Sequence, residues 1–164
     1  TTTTTTTIKT TINTTAAVLA ALALAGCAGM GTAADTRGLV SMASPYDAKE
    51  TMDRLEAEVK KRNLNVVARV NHAAAAASIG KTLRATELLI FGNPRAGTPL
   101  MECAQGAGID LPMKALVTVD ATGKVWLTYN DPAYIVQRQG VGECAEVESV
   151  SKELVGITQT TNTK

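Results

Sequence analysis

Two alternating stretches, KALVTV at 114–119 and VWLTY at 125–129, flank Asp120-Ala-Thr-Gly-Lys124. A period of two in apolar character marks a half-buried strand, and a short linker carrying Asp and Gly is hairpin chemistry. An isolated two-stranded ribbon is marginal in water, so this hairpin needs further strands or covering helices. The chain is therefore constrained to a sheet-containing fold, and the rest of the sequence must supply the sheet's other members.

Leu39–Ala43 is a short apolar run, expected to form a first strand. Ser44-Pro45 is expected to open a helix, with serine as N-cap, proline at the first helical position and Asp47 completing a pattern like a capping box. Ala48, Met52, Leu55 and Val59 recur three or four apart and give that helix one buried stripe. Asn65–Asn71 alternates, with Val66, Ala68 and Val70 on one face, and reads as a second strand. His72 leads an alanine-rich segment to Ile79, a short helix ended by Gly80.

The run LLIF at 88–91 suits a strand buried on both faces. Gly92-Asn93-Pro94 reads as a turn, and Thr98-Pro99 as the cap of a helix that stops at Gly106 and Gly108. Asp131-Pro132 caps another helix ending near Gly140, and a last amphipathic segment carries Cys144, Val147, Val150 and Leu154. Strands and helices in mixed order around a tight hairpin imply an α+β layer fold.

The apolar run at 16–25 is too short to span a bilayer as a helix but suits the hydrophobic region of a secretory leader. It runs into Leu24-Ala25-Gly26-Cys27, which is similar to a bacterial lipobox, where small residues precede the cut and the cysteine thiol takes diacylglycerol. Ala28 follows, so the expected address is the periplasmic face of the outer membrane, through a lipid anchor at Cys27. The expected organisation is a leader over 1–27, a tether over 28–37, one domain over 38–157 and a frayed tail over 158–164. Removing the leader leaves a chain near the usual single-domain size. Sixteen Lys and Arg against fifteen Asp and Glu give no polybasic footprint, and aromatic residues are few, so nucleic acid is not an expected partner.

The stretches ELLIFGNP (87–94), AGTPLM (96–101), AGIDLP (107–112) and YNDPAY (129–134) closely resemble the signature of the domain of unknown function 302 family. The resemblance covers about 38–157. It implies a curved, mainly antiparallel sheet with helices packed on one face, similar to TATA-binding-protein-like folds. It implies no activity and no cofactor, because the family carries none that is agreed.

Several residues carry chemistry worth locating. His72 is the only histidine and the one side chain that ordinarily titrates near neutral pH, so it could act as a general base or bind a ligand; it could equally serve a strand-to-helix junction. Asp110, Lys114, Asn130 and Asp131 lie at expected strand ends, where loop groups converge on ligands, yet Asp131 before Pro132 is also an ordinary N-cap. Asn93 and Tyr134 join His72 and Asn130 as ligand-contact candidates. GNPRAG (92–97) lacks the Lys-Thr ending of a phosphate loop and is read as a turn into a helix. No histidine-based zinc spacing is present, and no metal is expected. Cys103 and Cys144 form an even pair once Cys27 is lipidated; a disulfide suits an oxidising compartment, with free thiols or a soft metal site as the alternatives.

Three functions fit these residues. The first is a lipid-anchored module, homodimeric, binding a small molecule or a protein through its sheet or a loop-lined cleft. The second is a small enzyme using His72 with Asp110, Lys114 or Asp131. The third is metal or redox handling.

Overall fold

The computed structural model describes residues 1–2 and 35–164. The expected leader, Cys27 and most of the expected tether lie outside the described residues. From Asp35 onward the chain forms five strands and five helices: β1 (Leu39–Ala43), α1 (Ala48–Lys61), β2 (Asn65–Asn71), α2 (His72–Ser78), β3 (Thr86–Gly92), α3 (Pro94–Cys103), β4 (Met113–Val119), β5 (Val125–Asn130), α4 (Pro132–Arg138) and α5 (Glu146–Asn162). A 3-10 turn, Gln105–Ile109, links α3 to β4.

The five strands make one sheet in the order β1-β5-β4-β3-β2, antiparallel at every pairing. The hairpin of β4 and β5 sits at its centre, paired from Ala115–Tyr129 to Val119–Val125. Asp120 fixes the turn: one carboxylate oxygen accepts from the Thr122 and Lys124 N–H groups, and the other accepts from the Trp126 indole. Antiparallel pleating sends Val40, Leu89, Phe91, Ala115, Val117, Leu127 and Tyr129 to one face, and all of them are buried. Onto this face packs α1, through the fully buried Met52, Leu55 and Val59, with α5 alongside contributing Val150, Leu154 and Ile157. The α+β reading, with an antiparallel sheet and helices packed over it, holds.

Local boundaries differ from expectation in three places. The N-cap of α1 is Asp47, whose carboxylate accepts from Glu50 N–H at 2.8 Å; the Ser44 hydroxyl is engaged with Thr51 and Tyr46 instead. Helix α3 begins at Pro94 with Asn93 as its cap, five residues before the expected start, and carries Pro99 inside. Pro99 has no N–H to give to the carbonyl four residues back, so the helix forgoes one bond there. Finally, 158–164 is not a frayed tail. Helix α5 continues to Asn162, Thr158 and Thr161 are buried, and their hydroxyls donate to the carbonyls of Leu154 and Ile157.

Candidate functional site

A cleft of about 650 Å³ opens between α3 and α5, at the end of the sheet where β3 finishes and β2 and β4 begin. The strands supply Phe91 and Met113, α3 supplies Gly97, Leu100 and Met101, and α5 supplies Val150, Leu154 and Ile157. These are apolar groups, and the volume suits a small molecule. Polar groups stand on the surrounding elements: Asn65 at the start of β2, Asn93, Arg95 and Thr98 in the first part of α3, Ser149, Glu146 and Glu153 along α5, and Arg62 at the end of α1.

Local sequence explains why a gap persists here. Asn93 caps α3 by accepting from Arg95 N–H at 2.9 Å, so α3 leaves the sheet directly from the end of β3. Gly92 lets the strand end approach Pro112, whose Cβ would lie 3.3 Å from a methyl group placed there. A Cβ placed on Gly108 would likewise lie 3.3 Å from Met101 Sδ. On the far wall Gly156 admits the Arg62 guanidinium; a Cβ on 156 would sit 2.9 Å from its nitrogen. Arg62 donates to Glu58 at 2.8 Å and reaches Glu153 at 3.4 Å, joining the end of α1 to α5. Those carboxylates, Glu58 foremost, raise the Arg62 pKa, so this charge is fixed. The two walls are also joined covalently, by a disulfide from Cys103 at the end of α3 to Cys144 just before α5, with Cα atoms 6.0 Å apart.

The expected site residues scatter. His72 is the first residue of α2 and is exposed; the cap of that helix is Asn71, which accepts from Ala74 N–H. The β2–β3 register runs from Asn65 opposite Gly92 at the cleft to Asn71 opposite Glu87 beside His72. Six residue steps separate those ends, roughly 20 Å of strand. His72 therefore does not meet Asp110, Lys114 or Asp131, which all belong to the cleft end of the sheet. The expected catalytic grouping is not formed.

The other candidates are bound into the scaffold. The Asp110 carboxylate pairs with Arg138 of α4, and Lys114 donates to the carbonyls of Asp110 and Pro112 at 2.7 and 3.2 Å. These contacts close the loop around the cis Leu111–Pro112 bond. Asp131 is the N-cap of α4, accepting from Ala133 N–H at 3.0 Å. Asn130 ends β5 opposite Leu39, and Tyr134 packs on Gly38. Of all the expected ligand contacts, Asn93 alone lines the cleft. Among the described residues, no three His, Cys, Asp or Glu side chains gather as a metal-binding group.

Sequence reasoning missed both the cleft and a charge cluster at the sheet edge. Arg69 reaches Glu87 at 2.6 Å, Asp53 at 2.7 Å and Glu56 at 3.1 Å, which ties β2 and β3 to α1. Its pKa is raised, by Glu87 first. In the sequence Arg69 simply takes a polar position of the β2 alternation, so the cluster left no separate signal. For the cleft, the glycines of 92–108 were the available signal, and they were read as turn and stop signals.

Comparison with known proteins bears on family and on fold. The chain is 46% identical over 110 residues to the fluoride-specific ion channel FluC 1 of Brucella suis biovar 1 (strain 1330), a match spanning 67% of this chain and 43% of that one. It is equally similar to FluC 1 of Brucella abortus biovar 1 (strain 9-941), across 41% of that protein. The matched region thus spans less than half the length of these curated relatives. Among the described residues no helix is long and apolar enough to cross a membrane. In three dimensions the chain is similar to an uncharacterized conserved protein from Bacillus stearothermophilus, with a TM-score of 0.66 at 18% identity, over 76% of this chain and 98% of that one. That likeness concerns the fold alone, and the Bacillus protein carries the same family designation. The family model for the domain of unknown function DUF302 matches residues 40–160, and the chain belongs to this family.

Proposed function

We propose that this chain is an exported, lipid-anchored binding module whose cleft between α3 and α5 takes a small, mainly apolar molecule. The observation that carries the reading is the cleft itself: about 650 Å³ lined by Leu100, Met101, Val150, Leu154 and Ile157, with polar groups on the surrounding elements. Apolar lining with a few polar anchors is the usual make-up of a small-molecule site. Lipid attachment rests on the 24–27 motif, and palmitate labelling lost in Cys27→Ala tests it.

The segment shared with the Brucella fluoride channels is read as an accessory domain of those proteins, because it covers less than half of them. The enzyme alternative is disfavoured by the distance between His72 and the carboxylates it would need. The test is saturable binding of 1-anilinonaphthalene-8-sulfonate. Single-site fluorescence enhancement is expected, abolished by Met101→Trp, which fills the cleft from α3, with the far-ultraviolet circular dichroism unchanged. Enhancement that persists in Met101→Trp would rule the cleft out as the site.

A further inference from the structure

The sheet has a second face, away from α1, and none of its side chains is buried. Register places Val70, Leu88 and Leu116 in one row across β2, β3 and β4, continued by Thr128 and Ser41 on β5 and β1. The next row runs Ala68, Ile90 and Lys114 across β2, β3 and β4, with Asn130 and Leu39 paired beyond them on β5 and β1. The Ser41 and Thr128 hydroxyls bond each other at 2.9 Å, so the polar end of the row makes little demand on an outside partner. Helix α2, which contacts β3, buries none of its own residues, and the connection after it leaves Ile79 and Leu83 73% and 47% exposed.

Charge on this face is confined to its rim. Lys114 bends toward the carbonyls of Asp110 and Pro112 at one end. Lys124 lies 4.3 Å over the Trp126 ring at the other.

We propose that this face is a self-association surface, and that its occupant is the same face of a second copy of the chain. An isologous contact requires a surface complementary to itself. A run of one charge sign through the middle would repel its own copy, whereas a charge-free centre with charged ends meets the requirement and has the anatomy of an interface. Size is adequate. Five strands about 4.8 Å apart and roughly 17 Å long project on the order of 400 Å². Two copies together cover on the order of 800 Å² in projection, the size class of a weak, transient contact, as a dimer forming in the micromolar range would be. Helices α3 and α5 contribute no residue to this face, so the proposal stands apart from the cleft.

Sedimentation equilibrium of the full chain, produced without lipidation, tests it. Between about 1 and 100 µM the mass is expected to rise from 17.1 kDa toward twice that value. Leu88→Glu and Leu116→Glu each put a charge in the centre and are expected to weaken the dimer by about 100-fold or more. Lys49→Glu, on the exposed side of α1, is expected to leave it unchanged. Hydroxyl-radical footprinting of the wild type covers the case in which a glutamate variant fails to fold: Leu116 and Trp126 are expected to gain protection as concentration rises. A wild type that stays at 17.1 kDa throughout, or a dimer that forms without protecting Leu116 and Trp126, overturns the proposal.

Discussion

Gly38 packs against the ring of Tyr134 so closely that a Cβ on residue 38 would overlap the ring carbons. The same glycine has φ +74°, and its carbonyl accepts from Asp131 N–H at 2.9 Å. One residue thus ties the start of β1 to the start of α4, and only glycine meets both demands.

Gly38→Ala is therefore expected to lower stability by at least about 2 kcal/mol, from left-handed backbone strain plus steric overlap. Urea unfolding measures it. Combined with Tyr134→Ala, the loss is expected to fall short of the sum of the single losses, because the overlap is counted in only one of them.

The end of α5 is held from α1. Arg54 donates to the carbonyls of Thr161 and Thr163 at 2.9 and 2.7 Å, lies 4.1 Å over the Tyr46 ring, and Tyr46 donates to Thr163 as well. A cation on the free carbonyls of a helix C-terminus satisfies them and suits the dipole. Arg54→Ala is expected to cost about 1 kcal/mol. Hydrogen exchange should accelerate in the last turn of α5 and leave β4 and β5 unchanged.

The Cys103–Cys144 bridge closes a loop of 41 residues in sequence separation. In the loop-entropy model that constraint contributes about 3–4 kcal/mol. The paired Cys103→Ser and Cys144→Ser variant is expected to lose that much in urea unfolding, and reductant should then have no further effect.

Asp120 provides a pH dependence with a defined sign. Hydrogen bonds from the Thr122 hydroxyl, then the Trp126 indole, hold its carboxyl well below the ordinary range. A depressed folded-state pKa contributes stability above the unfolded value, near 4, and that contribution is lost as pH falls through the folded value. The wild type is expected to be more stable than Asp120→Asn at pH 7, with the difference shrinking below about pH 4. Trp126 fluorescence reports both.

What was legible in the sequence follows from the range of the forces involved. The hairpin was readable because Asp120 and Gly123 make its turn from local bonds. β2 was readable as a strand, but a register shift between Val66 and Ala68 sets Val66 opposite Phe91 on the core face and Ala68 and Val70 opposite Ile90 and Leu88 on the other, so the expected single face is not formed. Helix starts were less so. Ser44-Pro45 and Asp47 are both good cap signals, as are Asn93-Pro94 and Thr98-Pro99, and packing chose between them. The tail was misread because threonine is a weak helix former; its helix depends on Arg54 and Tyr46, more than a hundred residues away, and on burial of Thr158 and Thr161. The site was least legible. Asp110, Lys114 and Asp131 have the residue types of a catalytic set, yet their local partners use them as caps and clasps, and the cleft is made of apolar residues that carry no chemical signature.

The central claim is that ligand binding belongs to the cleft between α3 and α5. Amide chemical shifts recorded during titration with 1-anilinonaphthalene-8-sulfonate test it most directly. The account predicts saturable shifts at Gly92, Gly97, Gly108 and the facing turns of α5, with the His72 amide unmoved. Shifts centred on His72, or spread over the chain without saturation, would contradict it.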